Sequence, residues 1–326
     1  MRRLVAAIAG SLSTAACAST PATSLDVPDI EGSPVDASVT LIHDFTPVRF
    51  DLEVMQRNVG ETWVPEEGRL VPTAVAIEGA GELDLQLHEV EGEQRAEVIV
   101  DLDGVVFDAT TDGTAMPDGA ESDQADAVAR RRVTTEFTVD EGTSVVTTDQ
   151  PFSAGVYVIV PGYGPAFPSG VLAPGDLWTE EYAVDLGGAA FQVTAEHALT
   201  EVLDVDGRRV ARVSTTASAA DATVAYADLS AEELAQVIGE EAGLAALFTD
   251  VTVRISGLRN EVTTWLDVDT GRVVRQELVA GPVDRVTSFP DEVALTYFAA
   301  PGAFESRETQ EVRLLLDDSS ITGAAG

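Results

Sequence analysis

Three aspartate-rich stretches are the first places where this sequence could do chemistry. They read Asp101-Leu102-Asp103-Gly104, Asp204-Val205-Asp206-Gly207 and Asp267-Val268-Asp269-Thr270-Gly271. Closely spaced carboxylates suit a hard cation such as Ca²⁺. A complete calcium loop also needs a third Asp or Asn, a Gly at its sixth place and a Glu at its twelfth. None of the three meets that pattern. Asp before Gly is in any case good turn chemistry, because the carboxylate accepts from nearby backbone N–H groups. The expectation is three turns and no metal.

The histidines are His43, His88 and His197. None stands at ligand spacing from another, so a zinc site would take all its geometry from tertiary structure. The chain has no Gly-x-Ser-x-Gly, no phosphate loop and no His-Glu-x-x-His. Acidic pairs such as Glu66-Glu67 and Glu180-Glu181 could in principle serve a glycosidase. In a chain with 56 acidic residues such pairs arise freely. The residues therefore point to no catalytic site and no cofactor, and the expectation is a protein that is not an enzyme.

Cys17 is the one cysteine. Ahead of it stand Met1-Arg2-Arg3, an apolar run over 4–12 and the small residues Ser13-Thr14-Ala15-Ala16. A charged start, a short apolar run and small residues form a secretory leader. The segment resembles the signal of bacterial lipoproteins. That resemblance implies a leader over 1–17, lipidation of Cys17, and an extracytoplasmic protein anchored to the cell membrane through that lipid. Residues 18–38 hold Pro21, Pro28, Pro34 and Gly32 among Ser, Thr and Asp, and read as a flexible tether. After the leader no apolar run approaches the ~20 residues that span a bilayer.

The formal net charge is −37, with 56 acidic residues against 19 basic ones, and every basic residue is arginine. Anionic headgroups and nucleic acid repel such a surface, so neither nucleic-acid binding nor peripheral membrane adsorption is expected. A surface adapted to high salt fits the acidity, since screening tames self-repulsion. A surface that gathers cations such as Ca²⁺ is the second reading. Apolar residues make up 45% of the chain, enough for a sizeable core.

Strand patterns dominate the body. Val48, Phe50, Leu52 and Val54 alternate with Arg49, Asp51 and Glu53, and Leu83, Leu85 and Leu87 alternate with polar neighbours. Apolar runs on both sides of Asp103-Gly104 predict a hairpin there. Residues 108–129 predict a long loop, and Arg130-Arg131-Arg132 after it a basic run that solvates a loop or pairs with nearby acids. Strands are expected at 134–139 and 155–160. The Pro/Gly-rich stretch 161–175 marks a boundary, giving an N-terminal β domain over 39–165 and a C-terminal one over 166–318. Gly60-Glu-Thr-Trp63 and Gly175-Asp-Leu-Trp178 echo each other and suggest a duplicated unit. In the second half, hairpins are predicted around Asp206-Gly207 and around 269–271. Further short strands are expected at 224–227, 287–289, 293–298 and 311–316. Residues 319–326 are a frayed tail.

The one expected helix covers 230–248. Ser230 and Glu233 form a capping box, and Leu234, Val237, Ile238, Leu244, Ala245 and Phe248 lie at helical spacing. Gly239 and Gly243 weaken it. The second half, through Gly175-Asp-Leu-Trp178, Asp206-Gly207, this helix and Trp265-Leu-Asp-Val-Asp-Thr-Gly271, is similar to β-rich lipoproteins of high-GC Gram-positive bacteria. More distantly it is similar to lipoprotein carriers that hold acyl chains under a curved antiparallel sheet. The fold expected is mainly β: curved antiparallel sheets in two related units, the second with one amphipathic helix. The leading functional reading is an envelope lipoprotein that binds an apolar or amphiphilic ligand between helix and sheet, through Leu234, Val237, Ile238, Phe248, Trp178 and Trp265. A fully packed helix–sheet interface would remove that reading. The alternative is a surface module that contacts protein, glycan or cations through acidic loops such as 108–126.

Overall fold

The computed structural model describes residues 30–42, 44, 46–90, 93–115, 130–140, 143–148, 167–186, 190–231, 234 and 245–318. The leader with Cys17, His43, the strand expected at 155–160, Glu233, Val237, Ile238 and the tail over 319–326 fall outside those residues. The first strands are β1 (Ser33–Pro34), β2 (Val48–Val64), β3 (Arg69–Val90), β4 (Glu93–Thr111), β5 (Thr114–Ala115), β6 (Arg130–Asp140) and β7 (Thr143–Thr148). Then come β8 (Leu177–Leu186), β9 (Ala190–Val205), β10 (Arg208–Ala219), β11 (Ala222–Ala225), β12 (Thr252–Ser256), β13 (Arg259–Asp267), β14 (Val273–Phe289) and β15 (Phe304–Asp317). A 3-10 turn covers Tyr226–Asp228, and the helices are α1 (Ala245–Phe248) and α2 (Asp291–Tyr297).

The protein is mainly β and antiparallel. One sheet runs in the order β11-β12-β14-β13-β10-β9-β8-β7-β6-β4-β3-β2-β15, with β1 beside β9 and β5 beside β4. The β7–β8 pair is parallel. β15 lies between β2 and β14, so the last strand joins the first long hairpin to the second half. One edge of β14 serves two neighbours, β13 up to Ala280 and β12 from Asp284 onward. β12 and β11 branch off there, while the path through β13 returns to β14 by way of β15.

Period-two alternation explains which face is buried. Along β9, Phe191, Val193, Ala195, His197 and Leu199 are buried while the intervening residues face water. Strands β12, β13 and β14 continue that face with Val253, Ile255, Val262 and Leu278. The same face forms a second cluster at the sheet's other end, from Val39, Leu41, Leu172, Leu199, Val213 and Leu266. This is called the inner face below. The hairpin at Asp206-Gly207 is as expected: both residues have positive φ, 53° and 82°, the pair a type I′ turn needs.

Several expectations differ from the structure. Asp103-Gly104 is not a hairpin, because β4 runs straight through it against β3. Glu78 faces Val106 and Ala80 faces Asp103, so Gly104 and Val105 oppose the single residue Gly79 in a β-bulge. The loop expected over 108–129 starts later, since β4 continues to Thr111 and β5 follows; residues 116–129 lie outside the described ones. Arg130-Arg131-Arg132 opens β6, facing Asp101, Val100 and Ile99 of β4. Residues 293–298 form α2 and the turn after it rather than a strand. Val293 and Ala294 are fully buried, and Tyr297 and Phe298 pack on the same core four residues on, which is helical spacing.

The short strand expected at 287–289 is the end of β14, which starts at Val273. Gly281-Pro282 sits in a bulge of β14, where a missing N–H is tolerated. The end of the segment read as tether, residues 30–38, lies along the sheet. Ser33 and Pro34 pair with Asp204 and Leu203, and the Val35 N–H donates to the Val202 carbonyl at 2.8 Å.

Candidate functional site

Of the six residues read from the sequence as ligand-binding, the four that are described, Leu234, Phe248, Trp178 and Trp265, do not meet in one cleft. Leu234 and Phe248 belong to the inner-face core with Val224, Leu229, Val251 and Val293. They are 6% and 3% exposed, so both described ends of the 230–248 segment are packed. The Leu234 N–H donates to the Ser230 carbonyl at 2.9 Å, the bond expected of a helix's first turn. Trp178 is half-buried on the second inner cluster. Trp265 points to the opposite, outer face, one residue out of phase with the inner-facing Thr264 and Leu266.

Elsewhere on the inner face the described residues are less covered. On β2, Val54, Gln56 and Asn58 are half-buried, as are Val75, Gly79 and Gly81 of β3 and Leu314 of β15. These residues share a face: Val54 pairs with Gly79 and Leu314, and Asn58 with Val75 and Gln310. Gly79 and Gly81 offer no side chain there, so the surface beside Val54 is low. Buried Phe50, Leu52 and Ile77 border it.

Next to this surface lies a polar chain that sequence reasoning missed. Arg285 of β14 and Glu308 of β15 face each other across the pair, both 5% exposed, with a guanidinium nitrogen 3.8 Å from the carboxylate. Arg285 also donates to the Tyr226 hydroxyl. Asn58 donates to Glu308, and its own Oδ1 accepts from Gln56 at 3.1 Å and Gln310 at 3.2 Å. Burial pushes the Glu308 carboxyl above the usual range, while Arg285 and then Asn58 pull it back. Burial likewise raises the Tyr226 hydroxyl against the opposing pull of Arg285. Any signal in the sequence is indirect: Arg285, Glu308 and Gln310 sit at positions of their strands where alternation calls for apolar residues.

A carboxylate, an imidazole and a hydroxyl also line up on the inner face. His197 Nδ1 is 2.9 Å from Thr215 Oγ1, and His197 Nε2 is 3.6 Å from Glu180. The ring stacks on Trp178 with centroids 5.2 Å apart. The order mimics a hydrolase triad, but Thr215 is only 2% exposed.

On the outer face, directly paired residues of five strands form one row: Glu201, Arg212, Trp265, Arg275 and Asp317. Both arginines lie over the Trp265 ring, at 5.3 and 6.0 Å, and each is held by its flanking acid, at 3.0 and 2.6 Å.

The aspartate turns use their carboxylates locally. Asp204 Oδ1 accepts from Gly207 N–H at 2.8 Å, and Asp267 Oδ1 from Asp269 and Thr270 at 3.0 and 2.9 Å. Among the described residues no group of three or more His, Cys, Asp or Glu is placed to hold a metal. No helix among them is long and apolar enough to cross a membrane. No known protein family matches the chain, and neither does any curated protein.

Proposed function

We propose that this chain is an exported protein, anchored to the cell membrane by lipid at Cys17, that holds an amphiphilic molecule on the inner face of its sheet without transforming it. One observation carries the reading: the half-buried apolar surface of Val54, Val75 and Leu314 runs up to half-buried Asn58 and through it to buried Glu308, Arg285 and Tyr226. An acyl chain would lie along β2 and β3, over the low ground at Gly79 and Gly81. Its polar end would meet amides at Asn58 and Gln310. The described ends of the 230–248 segment are packed, so the ligand belongs beside that segment and not beneath Leu234 or Phe248. Burying apolar surface at about 25 cal/mol per Å² is enough to hold one chain reversibly.

The test is to purify the full chain from membranes, extract it with organic solvent and identify what co-purifies by mass spectrometry. An amphiphile enriched over a control lipoprotein, and lost from a Val54→Arg variant, is expected. No enrichment, together with no binding of a fluorescent fatty-acid analogue, would sink the reading.

A further inference from the structure

The outer face carries a pocket of about 440 Å³ between the sheet and the segment that leads in from the N-terminus. Ile30, Glu31, Gly32 and Pro34 form its roof, and Glu201, Leu203, Arg212 and Trp265 its floor. The roof is fixed. Ser33 and Pro34 pair with β9, and a Cβ at Gly32 would come within 2.9 Å of the Asp204 carbonyl oxygen, so the strap lies tight on the sheet. The floor is fixed too. Trp265 is 2% exposed beneath two arginines, and Glu201 holds Arg212. The volume lies in the range of small-molecule sites.

The chemistry of the walls selects the ligand. Glu31 and Glu201 offer acceptors, and Arg212 offers donors, of which the buried Nε meets no acceptor. An anion would face two carboxylates, and a compact cation would face Arg212. A neutral molecule with hydroxyls can donate to the acids and accept from Arg212 Nε at once. Its C–H face would lie on Ile30, the half-buried apolar wall, while Leu203 and Trp265 lie buried beneath the floor. From these groups we infer that the cavity binds a neutral saccharide of one or two rings. The inference does not rest on the amphiphile reading, since the two sites lie on opposite faces.

The chain has three tryptophans, so Trp63→Phe with Trp178→Phe leaves Trp265 as the only indole. In that background, maltose, cellobiose and lactose are titrated against Trp265 fluorescence, with lysophosphatidylcholine as the amphiphile control. A saturable change with at least one disaccharide is expected, absent in Leu203→Phe, which fills the cavity. Arg212→Lys keeps the charge but removes Nε and should weaken binding about tenfold, the worth of one charged hydrogen bond. Hydrogen exchange of the wild-type chain should slow over residues 30–35 when the sugar is added. The proposal is overturned by no response to any disaccharide, by equal responses in the variants, by a response to lysophosphatidylcholine alone, or by unchanged exchange in the strap.

Discussion

Gly271 lies directly against Ile42: a Cβ built on the glycine would sit 2.6 Å from the Ile42 carbonyl oxygen. The contact pins the segment that enters from the N-terminus to the β13–β14 loop, and the Asp44 N–H donates to the Gly271 carbonyl at 3.1 Å. Gly271 also has φ +75°. Gly271→Ala therefore meets both backbone strain and a steric clash. Gly207 makes the comparison clean, since it has φ +82° but open space for 4 Å around the point a Cβ would occupy. Urea denaturation should show Gly207→Ala losing about 1–2 kcal/mol. Gly271→Ala should lose clearly more, with faster proteolysis of residues 30–44. Equal losses would mean that the Ile42 contact is slack.

The Arg285–Glu308 pair predicts a pH dependence whose sign follows from burial. Glu308 is raised above its unfolded value. In the interval just above the ordinary carboxyl range the folded state therefore holds a proton that the unfolded state has released. Stability from this group is fully present below the unfolded pKa and is lost as pH rises through the raised folded value. Gln does not titrate, so the stability difference between wild type and Glu308→Gln isolates the group. Measured by denaturation from pH 4 to 8, wild type should lose ground steadily against the variant as pH rises. A difference that stays flat, or moves the other way, contradicts the assignment. Arg285→Leu removes one member of a buried pair and should cost about 3–5 kcal/mol at neutral pH.

His197 and Thr215 give a sharper test of the inner-face polar bridge. The 2.9 Å contact is the hydrogen bond of a ring that is 1% exposed at its side chain. Thr215→Val keeps the shape and removes the hydroxyl, leaving Nδ1 buried and unmatched. A loss of about 1–3 kcal/mol is expected, with little change in the near-ultraviolet signal of the stacked Trp178. A neutral substitution would mean that water takes over the nitrogen.

What could be read in the sequence was the local physics. Alternation from Val48 to Val54 and the Asp206-Gly207 turn depend on nearest neighbours, and both are present in the structure. Asp103-Gly104 carries the same local signal as Asp206-Gly207, yet its partner strand continues past it, and pairing with β3 turns a would-be hairpin into a bulge. Residues 293–298 have both a strand's composition and a helix's spacing. Pro290, with Asp291 and Glu292 in the first turn, favours the helix, and the Asp291 carboxylate then ties down Ala303 N–H at 2.7 Å. The Arg285–Glu308 chain was invisible because its members are distant in sequence. Asn58 and Gln310 stand 252 residues apart, and the group meets only through the β2–β15–β14 pairing. The phase of Trp265, pointing away from Leu234 and Phe248, likewise depends on the register of the whole sheet.

The proposed anchor yields the last prediction. The chain carries a formal charge of −37, which anionic headgroups repel, so adsorption of the protein surface should add nothing to membrane attachment. Acyl chains at Cys17 would supply about 0.8 kcal/mol per buried methylene, and two or more chains hold stably where one is marginal. Cys17→Ala should then shift the protein from the membrane pellet to the soluble fraction even at low salt. Raising the salt should not shift the wild type, because no charge attraction holds it. The intact mass of the wild type should exceed that of the chain beginning at Cys17 by the mass of its lipid. A Cys17→Ala protein that still sediments with membranes would show that something other than the thiol attaches it.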